Sequence, residues 1–260
     1  MTDWTNKVVL ITGGSSGIGK AAAKKFLQKK AAVYTLGRNK EKLEKVRKEL
    51  NEISTTIITI AANVAIPSEW KQAVEYVLSR EKRLDVLVNS AGVSYQGPSV
   101  TMTETMWNET LDINLKGTFF MCQSAIPALA ETQGSIVNIS SDAGLIGNKE
   151  LAVYCASKGG VTLLTKALAL ELAAQKIGVN AVCPGEVETP MLITDFEQSG
   201  FATRKEFDSY YLGHYPQGEH ARFTQPDEVA ECIYFLTSKD KVEAITGACL
   251  SIDFGITSGY

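Results

Sequence analysis

The stretch that decides the fold is Lys7-Val8-Val9-Leu10-Ile11-Thr12-Gly13-Gly14-Ser15-Ser16-Gly17-Ile18-Gly19, followed by an alanine- and lysine-rich segment. Its apolar, β-branched start predicts a buried strand, and the alanine-rich segment predicts a helix. A strand, a glycine-rich turn and a helix in this order can bind a dinucleotide, because the glycines let the backbone approach the pyrophosphate and the helix N-terminus favours its charge. The spacing is Gly-x-x-x-Gly-x-Gly, not the Gly-x-Gly-x-x-Gly of the general fingerprint, and an ordinary flexible turn is the alternative.

Strand and helix patterns alternate along the whole chain. Apolar runs predict strands at 7–12, 31–36, 55–61, 84–89, 134–140, 178–183 and 248–252. Helical patterns lie between them at 17–30, 40–52, 68–80, 104–130, 153–175 and 227–236. This alternation predicts an α/β fold: a single Rossmann-type domain over residues 1–260, in which a doubly wound parallel sheet of about seven strands has helices on both faces.

One segment departs from the alternation. Residues 188–223 are long, mixed and rich in aromatic and charged side chains, and no regular element is predicted there. Long irregular segments in compact domains are often lids over an active site. We therefore expect this segment to cover the substrate.

Composition bounds the classes of function. The chain has 260 residues, 45% of them hydrophobic, and a formal net charge of −3. These values allow a large core and favour neither nucleic acid nor a membrane as a partner. No signal peptide and no apolar run of about 20 residues are recognisable, so a cytoplasmic location is expected. The five cysteines have neither metal-ligand nor disulfide spacing, so we expect free thiols in a reducing cytoplasm and no metal site.

A second informative stretch is Val153-Tyr154-Cys155-Ala156-Ser157-Lys158-Gly159-Gly160. Residues four apart on a helix lie on the same face, so Tyr154 and Lys158 are expected to be neighbours. An ammonium beside a phenol favours the phenolate, so Lys158 is expected to lower the pKa of Tyr154 from its usual value of about 10. Such a tyrosine can exchange a proton near neutral pH.

Further motifs stand around these two in a fixed order. They are Thr-Gly-Gly-Ser-Ser-Gly-Ile-Gly at 12–19, Asn89-Ser90-Ala91-Gly92, Asn114, Ser141 thirteen residues before Tyr154, and Pro184-Gly185 followed by Thr189-Pro190. Together they resemble the motifs of the classical short-chain dehydrogenase/reductase family over nearly the whole chain. The resemblance implies transfer of a hydride between a nicotinamide cofactor and a ketone or secondary alcohol of a small molecule.

The resemblance also implies which residues act. The catalytic set is Asn114, Ser141, Tyr154 and Lys158. The cofactor-binding set is Gly13, Ser15, Ser16, Gly17, Ile18, Gly19, Arg38, Asn63, Val64, Asn89, Ala91, Gly92, Tyr154, Lys158, Pro184, Gly185, Val187 and Thr189. Substrate contacts are assigned to Ser141, Tyr154, Tyr95 and Glu186, in a pocket that also includes Ser94, Gln96, Asp142, Leu151 and the segment 188–223.

The cofactor is expected to be NADP(H), with NAD(H) as the alternative. The second strand ends without a carboxylate, and Arg38 follows at once. A guanidinium there can pair with a 2′-phosphate. Ser16 stands where some family members have a second basic residue, so the preference need not be absolute. Asn63 replaces an aspartate that is usual near the adenine, and its carbonyl can still accept a hydrogen bond from the adenine amino group.

Several alternatives stay open at this point. The chain could be a dehydratase or an epimerase on the same fold, or a cofactor-sensing protein without turnover. The substrate is not identified, although Asp142 and Glu186 suit a polar or cationic ketone if they face the pocket and not solvent. The resemblance further implies a homo-oligomer, with a tetramer expected and a dimer as the alternative.

Overall fold

The computed structural model describes residues 4–238 and 243–259. In these ranges seven parallel strands form one sheet in the order β3-β2-β1-β4-β5-β6-β7. The strands are β1 Val8–Thr12, β2 Ala32–Gly37, β3 Ile57–Ala61, β4 Val86–Asn89, β5 Ser135–Ile139, β6 Gly178–Pro184 and β7 Cys249–Ile252. The predicted parallel α/β fold is confirmed.

Helices cover both faces of this sheet. They are α1 Gly17–Gln28, α2 Lys40–Asn51, α3 Pro67–Glu81, α4 Glu104–Leu111, α5 Gly117–Thr132, α6 Ala152–Leu172, α7 Pro190–Gln198, α8 Arg204–Leu212 and α9 Pro226–Thr237. Successive side chains of a strand point to opposite faces, so β1 contributes to two cores. Val9 and Ile11 pack with α1, α2 and α9, whereas Val8 and Leu10 pack with α3, α5 and α6.

The long helix predicted over 104–130 is divided in two. A single π-helical turn, Asp112–Lys116, separates α4 from α5 and carries Asn114. The buried Asn114 side chain forms hydrogen bonds with the Val93 backbone, and the Asn114 backbone carbonyl accepts a hydrogen bond from Thr118 Oγ1 at 2.7 Å. Such turns are frequent at functional sites. The helical period predicts the helix correctly but does not reveal the extra residue in this turn.

The prediction that residues 188–223 contain no regular secondary structure is wrong. Helices α7 and α8 lie inside this segment, and Thr203 Oγ1 caps the start of α8 by accepting from the Glu206 N–H at 3.2 Å. Leu192, Phe207 and Phe223 form a small buried cluster beneath these helices. The aromatic side chains of the segment therefore pack largely against one another.

The carboxyl ends of the strands position the site. The sheet order reverses between β1 and β4, and a crevice opens beyond their carboxyl ends at this kind of switch point. Thr12 closes β1 there, and its hydroxyl accepts from the N–H groups of Ser90 and Ala91 at 3.1 Å each. In the described part of the chain, no helix combines the length and the apolarity needed to cross a bilayer.

Candidate active site

Two adjoining cavities form a groove along this edge of the sheet. The first has a volume of about 310 Å³ and lies over the glycine turn, and the second, of about 150 Å³, lies over the ends of β5 and β6. Both are lined by Ile18, Gly92 and Thr189. A molecule in the first cavity can therefore reach the second.

The glycine turn has the geometry of an anion cradle. Gly13 has a φ of 69°, and a Cβ there would lie 2.8 Å from the Ala91 backbone. A Cβ on Gly19 would lie 2.5 Å from the carbonyl oxygen of Gly13, so Gly19 packs beneath the turn. Ser16 precedes α1 without a side-chain cap, and no acidic residue occupies the first turn. The first N–H groups of α1 are thus left to a ligand, and this arrangement fits a pyrophosphate.

Most residues expected to bind the cofactor line the groove. The first cavity is lined by Gly13, Ser15, Ser16, Gly17, Ile18, Arg38, Asn63, Val64, Ala91, Gly92 and Thr189. The second is lined by Pro184, Gly185, Val187, Tyr154 and Lys158, besides shared residues. Asn89 and Gly19 line neither cavity. The Asn89 Nδ2 donates to Asn138 Oδ1 at 2.9 Å, so its side chain joins β4 to β5 inside the protein.

Arg38 lies at the mouth of the first cavity, with a carboxylate beside it. Its Nη1 is 3.4 Å from Glu109 Oε1, and Glu109 Oε2 accepts a hydrogen bond from the Tyr95 hydroxyl at 2.6 Å. Tyr95 does not line the second cavity, so the substrate contact expected for it stays a prediction. Lys42, on the first turn of α2, lines the first cavity near Arg38. Lys42 was not predicted from the sequence, although its place in the first turn of the helix that follows Arg38 was a usable signal.

Asn63 lines the first cavity but already has local partners. Its Oδ1 accepts from the Ala65 N–H at 3.0 Å, and its backbone N–H donates to Glu69 Oε2. An amide carbonyl has two acceptor sites, so one remains for the adenine contact expected from the sequence.

Tyr154, Lys158 and Ser141 meet at the second cavity. Lys158 Nζ donates to the Ile139 carbonyl at 2.8 Å and lies 5.6 Å from the centre of the Tyr154 ring. Ser141 follows β5, caps a short turn by accepting from the Ala143 N–H, and donates to Asp142 Oδ1 at 2.6 Å. The serine thus serves both as a local cap and as a cavity-lining hydroxyl.

Asn114 lies behind these residues and lines neither cavity. Its Nδ2 donates to the Val93 carbonyl at 2.9 Å and to Ser157 Oγ at 3.0 Å, while its Oδ1 accepts from the Val93 N–H at 2.9 Å. A Cβ on Gly92 would lie 3.4 Å from the Asn114 Oδ1 and 3.7 Å from the Lys158 Nζ. Asn114 and Lys158 are therefore close neighbours across Gly92.

The protonation of Tyr154 differs from the sequence expectation. Burial, and then the charge of Asp142, raise the pKa of Tyr154 well above its ordinary value, while the Ser141 hydrogen bond opposes this. Burial also lowers the pKa of Lys158 to about 8. The expectation that Lys158 depresses the pKa of Tyr154 is wrong for the free protein, because burial and the charge of Asp142 raise this pKa.

Three carboxylates line the second cavity: Asp142, Glu186 and Asp195. Burial and the charge of Asp142 raise the pKa of Glu186, which accepts a hydrogen bond from the Tyr215 hydroxyl at 2.5 Å. Ser94, Gln96 and Leu151 line the same cavity, as expected. Asp195 was missed, because nothing in the sequence marks one aspartate of the segment 188–223 as facing the cavity. No three His, Cys, Asp or Glu side chains in the described ranges are grouped as metal ligands.

Comparison with known proteins decides the family. The family model for short chain dehydrogenases matches residues 7–200. The chain belongs to the short-chain dehydrogenase family. A 3-oxoacyl-[acyl-carrier-protein] reductase of Thermotoga maritima, FabG, is 40% identical over 251 residues, covering 96% of this chain and 97% of that protein. Membership makes the chain an oxidoreductase of a class that acts on CH–OH groups or ketones with a pyridine nucleotide.

Solved structures extend the comparison to bound cofactors. The structure of ElxO with NADP bound superimposes with a TM-score of 0.87 at 33% identity, over 97% of this chain and 99% of that one. A 3-ketoacyl-(acyl-carrier-protein) reductase from Brucella melitensis, complexed with NADH, gives a TM-score of 0.85 at 33% identity, over 96% and 98% of the two chains. Similar chains therefore bind either nucleotide.

Proposed function

We propose that the protein transfers a hydride between a nicotinamide cofactor, NADP(H) in preference to NAD(H), and a ketone or secondary alcohol of a small molecule. The observation that carries the proposal is the meeting of Ser141, Tyr154 and Lys158 at a cavity of about 150 Å³ that adjoins the glycine-turn groove. A bound nicotinamide supplies the hydride, and the protein supplies position and electrostatics.

The side chains divide the remaining work. Tyr154 is half-buried and its pKa is raised, so it stays protonated near neutral pH and holds a proton for the oxygen of a ketone being reduced. The Ser141 hydroxyl lines the same cavity and donates its single proton to Asp142 Oδ1 in this structure, so it must turn that proton toward the substrate to stabilise the same oxygen as negative charge develops. Lys158 is held by the Ile139 carbonyl for contact with the nicotinamide ribose. Asn114 joins the Val93 backbone to Ser157 through hydrogen bonds and so fixes their positions next to Lys158.

Basic residues at the far end of the groove support the preference for NADP(H). Arg38 and Lys42 both line the first cavity beyond the end of β2, where the adenosine ribose of a dinucleotide lies in this type of fold. A 2′-phosphate there would gain two cationic partners, whereas a free 2′-hydroxyl would gain no carboxylate partner from β2.

The test is a panel of small ketones and secondary alcohols, followed by nicotinamide absorbance with NADPH, NADP⁺, NADH and NAD⁺. We expect turnover of at least one ketone–alcohol pair, faster with the phosphorylated cofactor. Cofactor binding by titration without any turnover would overturn the proposal and favour the cofactor-sensing alternative. Substrate conversion without a change in absorbance would favour a dehydratase or an epimerase.

We further propose a cytoplasmic homotetramer, with a dimer as the alternative state. Leu163 and Leu170 on α6 are 68% and 83% exposed, and Trp107 of α4 and Phe119 of α5 are also exposed. Large apolar side chains on neighbouring helices are typical of a surface that another subunit covers. Sedimentation at micromolar concentration tests this, and a single monomeric species would contradict it.

A further inference from the structure

We infer that the second cavity selects ketones or alcohols that carry a positive charge, such as an ammonium group, and that Asp195 and Glu186 hold that charge. The inference rests on the proposed function, since it takes this cavity as the place where the substrate reacts.

Acidic side chains outnumber basic ones among the described residues that line the second cavity. Its three carboxylates converge from different elements: Asp142 follows β5, Glu186 follows β6, and Asp195 lies on α7. Among the residues that the structure describes, Lys158 is the only basic side chain lining this cavity. Its Nζ already donates to a backbone carbonyl at 2.8 Å. The carboxylates are therefore in excess.

The three carboxylates differ in the hydrogen bonds that they accept. Asp142 is committed to local donors, because its Oδ1 accepts from Ser141 Oγ at 2.6 Å and from the Ala143 N–H at 2.7 Å. Glu186 Oε2 accepts from the Tyr215 hydroxyl at 2.5 Å. The Asp195 carboxylate makes no hydrogen bond and no ion pair within the described residues, and Asp195 is half-buried. Burial removes part of the hydration of this carboxylate, and a cationic ligand would compensate its unpaired charge.

The negative charge of Glu186 also affects the protonation of Asp195. Burial, and then the charge of Glu186, raise the pKa of Asp195 to about 6. A positive charge near Asp195 and Glu186 would stabilise the ionised form of each carboxylate and reduce the repulsion between them. The aromatic rings of Tyr211 and Phe207 line the same cavity, and the face of an aromatic ring attracts a cation.

Other ligands fit the cavity less well. A divalent metal would need several donors grouped around one point, and the described residues offer no such group. A hydroxylated neutral ketone could donate hydrogen bonds to the carboxylates, but it would leave their charges uncompensated. A volume of about 150 Å³ suits a six-membered ring, since an engineered cavity of roughly that size in another protein binds benzene.

The experiment uses two ketones of the same shape, 4,4-dimethylcyclohexanone and 1,1-dimethyl-4-oxopiperidinium, which differ by one carbon replaced with a cationic nitrogen. Calorimetry measures their binding to the full chain saturated with NADP⁺, a complex in which ketone and oxidised cofactor cannot react. We expect the cation to bind about tenfold or more tightly, and Asp195→Asn to reduce this ratio about tenfold. Glu186→Gln should reduce the same ratio and keeps the test valid if the first variant folds poorly.

Glu197→Gln is the matched control, because Glu197 is exposed on the same helix and does not line the cavity. It should leave the ratio unchanged. Equal binding of the two ketones to the wild type, or a ratio that survives both cavity variants, overturns the inference. So does an equal, Asp195-dependent gain for neutral 4-hydroxycyclohexanone, since that outcome assigns the carboxylates to hydroxyl groups.

Initial rates with NADPH separate this inference from the proposed function. If the wild type reduces the neutral ketone but the ratio of kcat/KM for the cation to kcat/KM for the neutral ketone is the same in Asp195→Asn, the inference alone fails. If it reduces no ketone with NADPH or NADH, the proposed function fails. The cationic ketone is intrinsically more reactive, so the comparison uses the ratio of kcat/KM values for the two ketones in wild type against that in Asp195→Asn, in which intrinsic reactivity cancels.

Discussion

The two ends of the groove are built in different ways. At the cofactor end, consecutive backbone groups of residues 12–19 form the cradle, and the charged residues described as lining the cavity are the basic Arg38 and Lys42. At the substrate end, side chains from β5, β6, α6 and α7 converge, and carboxylates outnumber basic groups among the lining residues described. One groove therefore combines a basic end, suited to phosphates, with an acidic end. Local backbone geometry forms the cofactor end, whereas side chains from distant parts of the chain form the substrate end.

The largest expected effect concerns the proton at the substrate end. Tyr154→Phe removes the proposed acid while keeping the ring, so kcat should fall about a thousandfold, within the range that general acid catalysis contributes. Cofactor affinity, measured by titration, should change little, because the cradle lies at the other end. Tyr76→Phe, at an exposed tyrosine, is the control. Near-normal turnover in Tyr154→Phe would show that the acid is another group.

The next effect concerns the charge at the cofactor end. Arg38→Asp should weaken NADP(H) binding roughly ten- to hundredfold, because a charged contact to phosphate is lost and a repulsive charge is gained. The affinity for NAD(H) should stay constant or rise. Lys48→Asp, on the outer face of α2, changes the net charge equally and should have little effect. Tighter binding of NAD(H) than of NADP(H) by the wild type would rule out the proposed preference.

A third effect is on stability, and it sharpens the contrast at the substrate end. The pKa of Asp195 is raised to about 6, so the folded protein keeps this proton to higher pH than the unfolded chain does. The folded state is therefore penalised as pH rises from about 4 to 6, and the penalty is complete above that window. Asp195→Asn should raise the free energy of unfolding by about 2 kcal/mol at pH 7.5.

The increase in the free energy of unfolding caused by Asp195→Asn should be smaller at pH 4.5 than at pH 7.5. Denaturant unfolding at these two pH values measures the difference. Glu197→Asn on the same helix provides the control for a change of charge alone. A gain of equal size at both pH values would mean that ionisation of Asp195 does not cause it.

The smallest effect concerns the segment 188–223, which we propose acts as a lid. Hydrogen exchange across 191–222 should slow severalfold when cofactor is added and slow further with substrate, because ligands order the helices above the groove. The buried strand β5 should show no change. Slow exchange in the free protein that neither ligand alters would assign the segment to the scaffold, a role that the buried cluster of Leu192, Phe207 and Phe223 would also support.

The sequence by itself determined the fold and much of the groove. Alternating apolar strands and amphipathic helices are local patterns, and local patterns fix strand and helix positions through burial. The glycine turn and the pair Tyr154 and Lys158 are likewise encoded within a few residues, so their positions follow once a strand or helix is assigned.

Only the tertiary structure decided the rest, because it depends on residues far apart in the chain. The π-helical turn at Asn114 follows from its bonds to Val93 and Ser157, and the two helices in 188–223 are stabilised by an aromatic cluster that forms on folding. The raised pKa of Tyr154 follows from burial and from Asp142, which no spacing along one helix reveals. Asp195, on α7, lines the cavity together with Asp142 after β5 and Glu186 after β6. Charge and desolvation add up in space, and the sequence lists the charged residues without stating which of them share a cavity.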